Sequence, residues 1–100
     1  MITLKEACLI IQKELPNNRI IGASEIGDYY FFNAPPRRWK GDRDIPCGGS
    51  VYYVTKNGIF DCMNIGDYMD MLLEKGETEL DIRPFLSDAD RDFLDKIEQH

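Results

Sequence analysis

The sequence predicts an α+β fold: an N-terminal helix packed on a four-stranded, mainly antiparallel sheet, followed by one or two C-terminal helices. Three observations carry this. A capped amphipathic helix opens the chain. Two blocks of β-branched and aromatic residues then flank a long loop, and the last third returns to helical spacing. One hundred residues make one domain, 1–100, with a single modest core.

The first helix is signalled by Thr3, with Glu6 three residues on completing a T-x-x-E capping box, and by Ile2 and Ala7, which can form a hydrophobic staple. Leu4, Ala7, Cys8, Ile11 and Leu15 recur along one face, and Leu9 and Ile10 widen it, so the helix is expected to be well buried. Pro16 ends it. Two extended runs follow, "RIIGAS" and "DYYFFNA", with Gly27 at the bend. The four consecutive aromatics from Tyr29 to Phe32 favour a strand with bulk on both faces.

The second block, "VYYVTKNGIFDCMN", is a hairpin. Asn57-Gly58 suits a two-residue type I′ turn, which needs positive φ at both positions. Counting outward from that turn pairs Thr55 with Phe60, Tyr53 with Cys62 and Val51 with Asn64 on a charge-free face, which is assigned to the core. Tyr52, Val54, Ile59 and Met63 would then share the other face with Asp61.

A second helix fits "NIGDYMDMLLEKG", capped by Asn64 and stopped by Gly76, with Ile65, Tyr68, Met69, Leu72 and Leu73 on one face. "ETELDIRP" reads as an edge strand or coil. A third helix fits "SDADRDFLDKIEQ", with Ser87 as cap, Asp88 and Asp90 in the first turn, and a thin stripe of Phe93, Leu94 and Ile97.

Charge is uneven. Residues 1–60 carry eight basic and six acidic side chains, residues 61–100 four and twelve, for a formal total of −6. The acidic part would repel phosphate, so no nucleic-acid partner is expected; it suits a basic partner protein or plain solubility. No apolar run is long enough to span a bilayer, and Lys5, Glu6, Lys13 and Glu14 interrupt the N-terminus too often for a secretory signal. Cys8, Cys47 and Cys62 are odd in number and widely spaced, which predicts reduced thiols and a cytoplasmic location.

The chain offers little for catalysis. Its only imidazole is the terminal His100, so neither a nucleophile–histidine pair nor a metal cage is expected, and no cofactor either. Gly48 and Gly49 in "CGGS" match no phosphate-binding loop. Carboxylate sets such as Asp67/Asp70/Glu74 and Asp88/Asp92/Asp95 read as solvated helix faces, with a small hydrolase as the lesser alternative.

The loop "PPRRWKGDRDIPCGGS" gathers Arg37, Arg38, Lys40 and Arg43, a third of the basic residues, around the only tryptophan, Trp39. Trp39 folds back to cap the sheet while the arginines pair with acidic helices, or stands displayed as a protein contact. A third reading, which the surrounding negative charge weighs against, has it stack a nucleic-acid base while the guanidiniums meet phosphate. Tryptophan and arginine are the types that dominate interface energetics. Arg37, Arg38, Trp39 and Lys40, with Tyr52, Asp61, Asp67 and Asp70, are the candidate partner-binding residues.

The order "YYFFN", a polar loop, "GGSVYYVTKNGIF", then "DYMDMLLEKG" resembles the YrhB-like immunity protein 35 family, small bacterial proteins found beside polymorphic toxins. Gly48 and Gly49 match the family's strand start, Asn57-Gly58 its turn, and Tyr68 its helical tyrosine. Ser50 departs from it where a proline is common, and no proline opens the second helix. The resemblance covers residues 3–76; 77–100 form a C-terminal extension. It implies a cytoplasmic antidote that is not an enzyme and that binds a cognate toxin and occludes it, as a monomer or weak homodimer. A general protein-binding or chaperone-like module, using an exposed Tyr52–Met63 face, is the alternative.

Overall fold

Thr3 caps α1 (Leu4–Glu14) with both halves of the predicted box in place: Thr3 Oγ1 accepts from the Glu6 amide at 3.3 Å, and Glu6 Oε1 accepts from the Thr3 amide at 3.2 Å. Removing the cap leaves an unsatisfied donor in the first turn. Thr3→Ala is therefore expected to cost about 1 kcal/mol in a urea melt. A computed structural model describes residues 1–41 and 50–98. The expectations on Arg43, Cys47, Gly48, Gly49 and His100 lie outside the described residues.

After α1 come strands β1 (Gly22–Ile26), β2 (Tyr29–Asn33), β3 (Ser50–Thr55) and β4 (Phe60–Asn64), then α2 (Ile65–Lys75), β5 (Thr78–Leu80), a short 3-10 turn at Arg83–Phe85, and α3 (Asp88–Glu98). The fold is the predicted α+β. The sheet is antiparallel throughout and has five strands in the order β4-β3-β2-β1-β5, the "ETELDIRP" segment supplying the edge strand β5.

The hairpin register corrects the sequence reading by one residue. Val54 pairs with Phe60, Tyr53 with Asp61, Tyr52 with Cys62 and Val51 with Met63. The cause is the turn. Of its residues only Gly58 has positive φ, at +88°, so Asn57 does not take the conformation that a two-residue I′ turn requires. The Gly58 amide instead donates to Thr55 O and the Thr55 amide to Ile59 O, each at 2.8 Å, which makes a three-residue loop with a glycine bulge. A one-residue slip exchanges faces. Tyr52, Val54 and Phe60 therefore join the core, while Val51, Tyr53, Asp61 and Met63 lie on the opposite face, and Tyr52 and Met63 share no surface.

The main core lies on the first face. Ala7, Cys8 and Ile11 of α1 meet Ala23, Tyr30, Phe32 and Val54 of the sheet, with Ile82, Leu86 and Leu94 closing the end. Burial raises the Cys8 thiol pKa to about 11, which keeps it protonated and inert at neutral pH. α1 is less buried than expected: Leu9 stands exposed.

The second face is built from Ile26, Phe31, Tyr29 and Tyr53, and α2 lies over it, with Tyr68 packed edge-on against Phe31 at 5.0 Å between ring centres. Helices thus occupy both faces of the sheet. α2 must join β4 to β5, the two opposite edges. Its 11 residues extend about 16 Å, and four inter-strand gaps come to about 19 Å, so the helix crosses the sheet diagonally instead of lining up with a strand.

Candidate protein-binding surface

A helix stretched across five strands covers the face unevenly. α2 has the expected terminal signals: Asn64 Oδ1 accepts from the Asp67 amide at 2.8 Å, and Gly76 closes it at φ +71°. Yet none of its residues is fully buried. Tyr68, Met71 and Leu72 are half-buried toward the sheet. Ile65, Met69 and Leu73, at i, i+4 and i+8, form a flank that is 50, 42 and 81% exposed. Asp67, Asp70 and Glu74 share α2 with them at i, i+3 and i+7, and Asp61 lies on β4, on the sheet face that α2 covers.

These carboxylates differ from those of α3. Four of the five carboxylates of α3, Asp88, Asp90, Asp95 and Glu98, are each engaged by an arginine, and Asp92 is not among the ion pairs of the described residues. Among the described residues, no ion pair reaches Asp61, Asp67, Asp70 or Glu74. Lys75, the one cation on α2, runs toward the Gly27 turn, its ammonium 3.5 Å from where a side chain there would begin. The acidic part of the chain is therefore largely paired on α3 and open on α2.

Beside α2 the sheet adds half-exposed aromatics. Tyr29 and Tyr53 meet edge to face at 5.0 Å and 88°, and Tyr53 sits directly across from Asp61. Burial, then the Asp61 charge, pushes the Tyr53 hydroxyl pKa up. Burial, then a hydrogen bond to Glu77 at 3.1 Å, does the same for Tyr68. Both hydroxyls therefore stay protonated and able to donate. Asp61 also blunts the sheet edge: its Oδ1 accepts from the Cys62 amide at 2.8 Å, and that amide points away from β3.

The basic loop goes elsewhere. Trp39 is 8% exposed and packs edge-on against Phe93 of α3, at 5.8 Å between ring centres. Arg37 reaches Asp90 with both terminal nitrogens, at 2.9 and 3.3 Å, and Arg19 adds its Nε at 3.3 Å while stacking 3.9 Å above the Phe93 ring. Asp90 is 3% exposed. The loop backbone is stitched to residues 17–19 by hydrogen bonds from Arg19 to Pro35 and from Arg37 to Asn17. Gly41, at φ +95°, passes so close to Ile97 that a Cβ there would lie 2.8 Å from its Cγ2. Gly41→Ala is expected to lose about 1–3 kcal/mol of stability, read by thermal melting.

Of the eight candidate residues, Asp67 and Asp70 share one face of α2, and Asp61 lies on the sheet face that α2 covers. Arg37 and Trp39 belong to the α3 clamp, and Arg38 and Lys40 are exposed beside it. Tyr52 is on the opposite face, stacked on Phe60 at 6.1 Å. Sequence reasoning did not count Tyr29, Tyr53 or Glu74 among the binding candidates, and it missed the exposed flank of α2 and the buried role of Asp90. Asp90 stands four residues before Leu94 and seven before Ile97, in the apolar stripe of α3, and that position was the available signal.

Among the described residues, no group of three or more His, Cys, Asp or Glu is arranged to hold a metal ion, and no helix is long and apolar enough to cross a membrane. Comparison with models of known families, with curated proteins and with solved structures returned no match for this chain.

Proposed function

We propose that the chain is an immunity-type protein that acts in the cytoplasm, binding a cognate bacterial toxin and neutralising it by occlusion, without catalysis of its own. One observation carries this reading: on α2 three exposed apolar side chains share the helix with three carboxylates, β4 adds a fourth, and no cation of the described chain neutralises them. Apolar side chains left in water on an otherwise folded domain favour contact with another molecule. Unneutralised carboxylates speed encounter with a basic one. The resemblance of the strand–turn–helix order to the immunity family supports the same class.

The test is co-expression with the toxin encoded beside it. Restored growth and a complex that survives gel filtration are expected. Absence of both rescue and complex would remove the reading.

A further inference from the structure

We propose that the α2 surface seats a basic amphipathic helix of the partner, its apolar side against Ile65, Met69 and Leu73 and its lysines or arginines against Asp67, Asp70 and Glu74. This rests on the immunity reading for the partner's identity, but not for its chemistry. The apolar flank and the acidic crest run side by side along the same helix. Ile65 to Leu73 spans about 12 Å and Asp67 to Glu74 about 10 Å. A partner strip of two to three turns matches both at once. Helices dock on apolar flanks through residues spaced at i, i+3, i+4 and i+7, and the flanking charges fix which helix is accepted.

Charge decides among occupants. A second copy would bring the same face with the same carboxylates, and the one cation on α2, Lys75, lies at the Gly27 turn instead of beside them, so like charges would meet. The flank is also one side chain wide, far short of the roughly 800 Å² per partner that a stable dimer buries. Nucleic acid and anionic lipid are repelled. A cationic helix meets neither objection.

The probe is a 14-residue amidated peptide of leucine and lysine, with leucines along one helical side, paired with a counterpart in which glutamate replaces every lysine. Binding to the full chain is followed by calorimetry and mapped by amide NMR shifts. The lysine peptide is expected to bind, to shift residues 65–75, and to weaken at least tenfold with Met69→Gln/Leu73→Gln. A similar loss is expected with Asp67→Asn/Asp70→Asn/Glu74→Gln. The glutamate peptide is expected not to bind. Removing three charges from α3 instead, by Asp88→Asn/Asp92→Asn/Asp95→Asn, is expected to change affinity less than twofold.

The proposal is overturned if the lysine peptide fails to bind, if the α3 variant weakens it as much as the α2 variant, or if the glutamine pair binds as tightly as the parent. A dimer of the parent chain that dissociates on Met69→Gln/Leu73→Gln would also overturn it. Leu73 is so exposed that Leu73→Gln alone keeps the test open should the double variant misfold. Toxin rescue unaffected by the α2 variants sinks this inference and spares the immunity reading. Peptide binding as expected, without any toxin rescue, does the reverse.

Discussion

Asp90→Ala is expected to destabilise the chain by about 3–5 kcal/mol, because it removes the single carboxylate that two guanidiniums share inside the fold. The carboxylate side chain is 5% exposed and Arg19 only 15%, so Arg19 would be left charged and largely desolvated with no counter-ion. Arg37 is 44% exposed and can turn to water, which places the loss toward the low end of that range. An exposed pair provides the contrast. Asp95 meets Arg83 at 2.6 Å but is 57% exposed, so Asp95→Ala is expected to cost less than about 1 kcal/mol. Urea melts of the two variants measure the difference, and equal losses would show that burial of Asp90 contributes nothing.

Asp90→Ala has a second signature. Arg37 belongs to the loop that carries Trp39, and Trp39 rests on Phe93 one turn after Asp90. Releasing the pair frees the loop, so the emission of the sole tryptophan is expected to move to longer wavelength before global unfolding. Unchanged emission in folded Asp90→Ala would mean that the loop stays in place without the ion pair, held by the Trp39–Phe93 contact and the backbone bonds to residues 17–19.

The two clamped elements, residues 34–41 and α3, illustrate what a sequence can and cannot convey. The caps of α1 and α2 were legible because Thr3 with Glu6, and Asn64 with Asp67, are complete within four residues. The place of the hairpin was legible for the same reason. Its register was not: Asn-Gly serves both a two-residue turn and a three-residue loop with a bulge, and only the φ of Asn57 separates them. The charge-free-face criterion then misled, because β4 is an edge strand, where Asp61 and Cys62 both reach water. Whether Trp39 tucks in or stands out depends on Phe93, far along the chain, so no local pattern could decide it.

The α2 surface was half legible. Its carboxylates were visible as an exposed helix face, and its apolar residues were read as the buried one. What the sequence could not convey is that β4 and β5 lie at opposite edges, forcing one short helix to bridge five strands and leaving its flank uncovered. Pairing was equally hidden. Asp90 and Asp70 look alike in a sequence, yet Arg19 and Arg37, far along the chain, stand beside the first, and no described cation pairs with the second.

Phe32→Ala is expected to cost about 3–5 kcal/mol, a large share of the roughly 5–15 kcal/mol available to a domain of this size. Phe32 is 2% exposed and points to the first face, between Ala23 and Tyr52 on the neighbouring strands and beneath α1. Ala23 is too small to fill the space, and α1 is pinned by its cap and by the Ile2 amide bonded to Lys56 O at 2.9 Å, so the cavity cannot collapse. Phe31 is equally buried but lies under α2, a helix with no fully buried residue that can settle inward. Phe31→Ala is therefore expected to cost less, about 2–3 kcal/mol. Chemical denaturation of both variants measures the gap. A Phe31→Ala loss equal to that of Phe32→Ala would mean that α2 is as rigidly seated as α1. The two faces would then differ in what they expose but not in how firmly they are built.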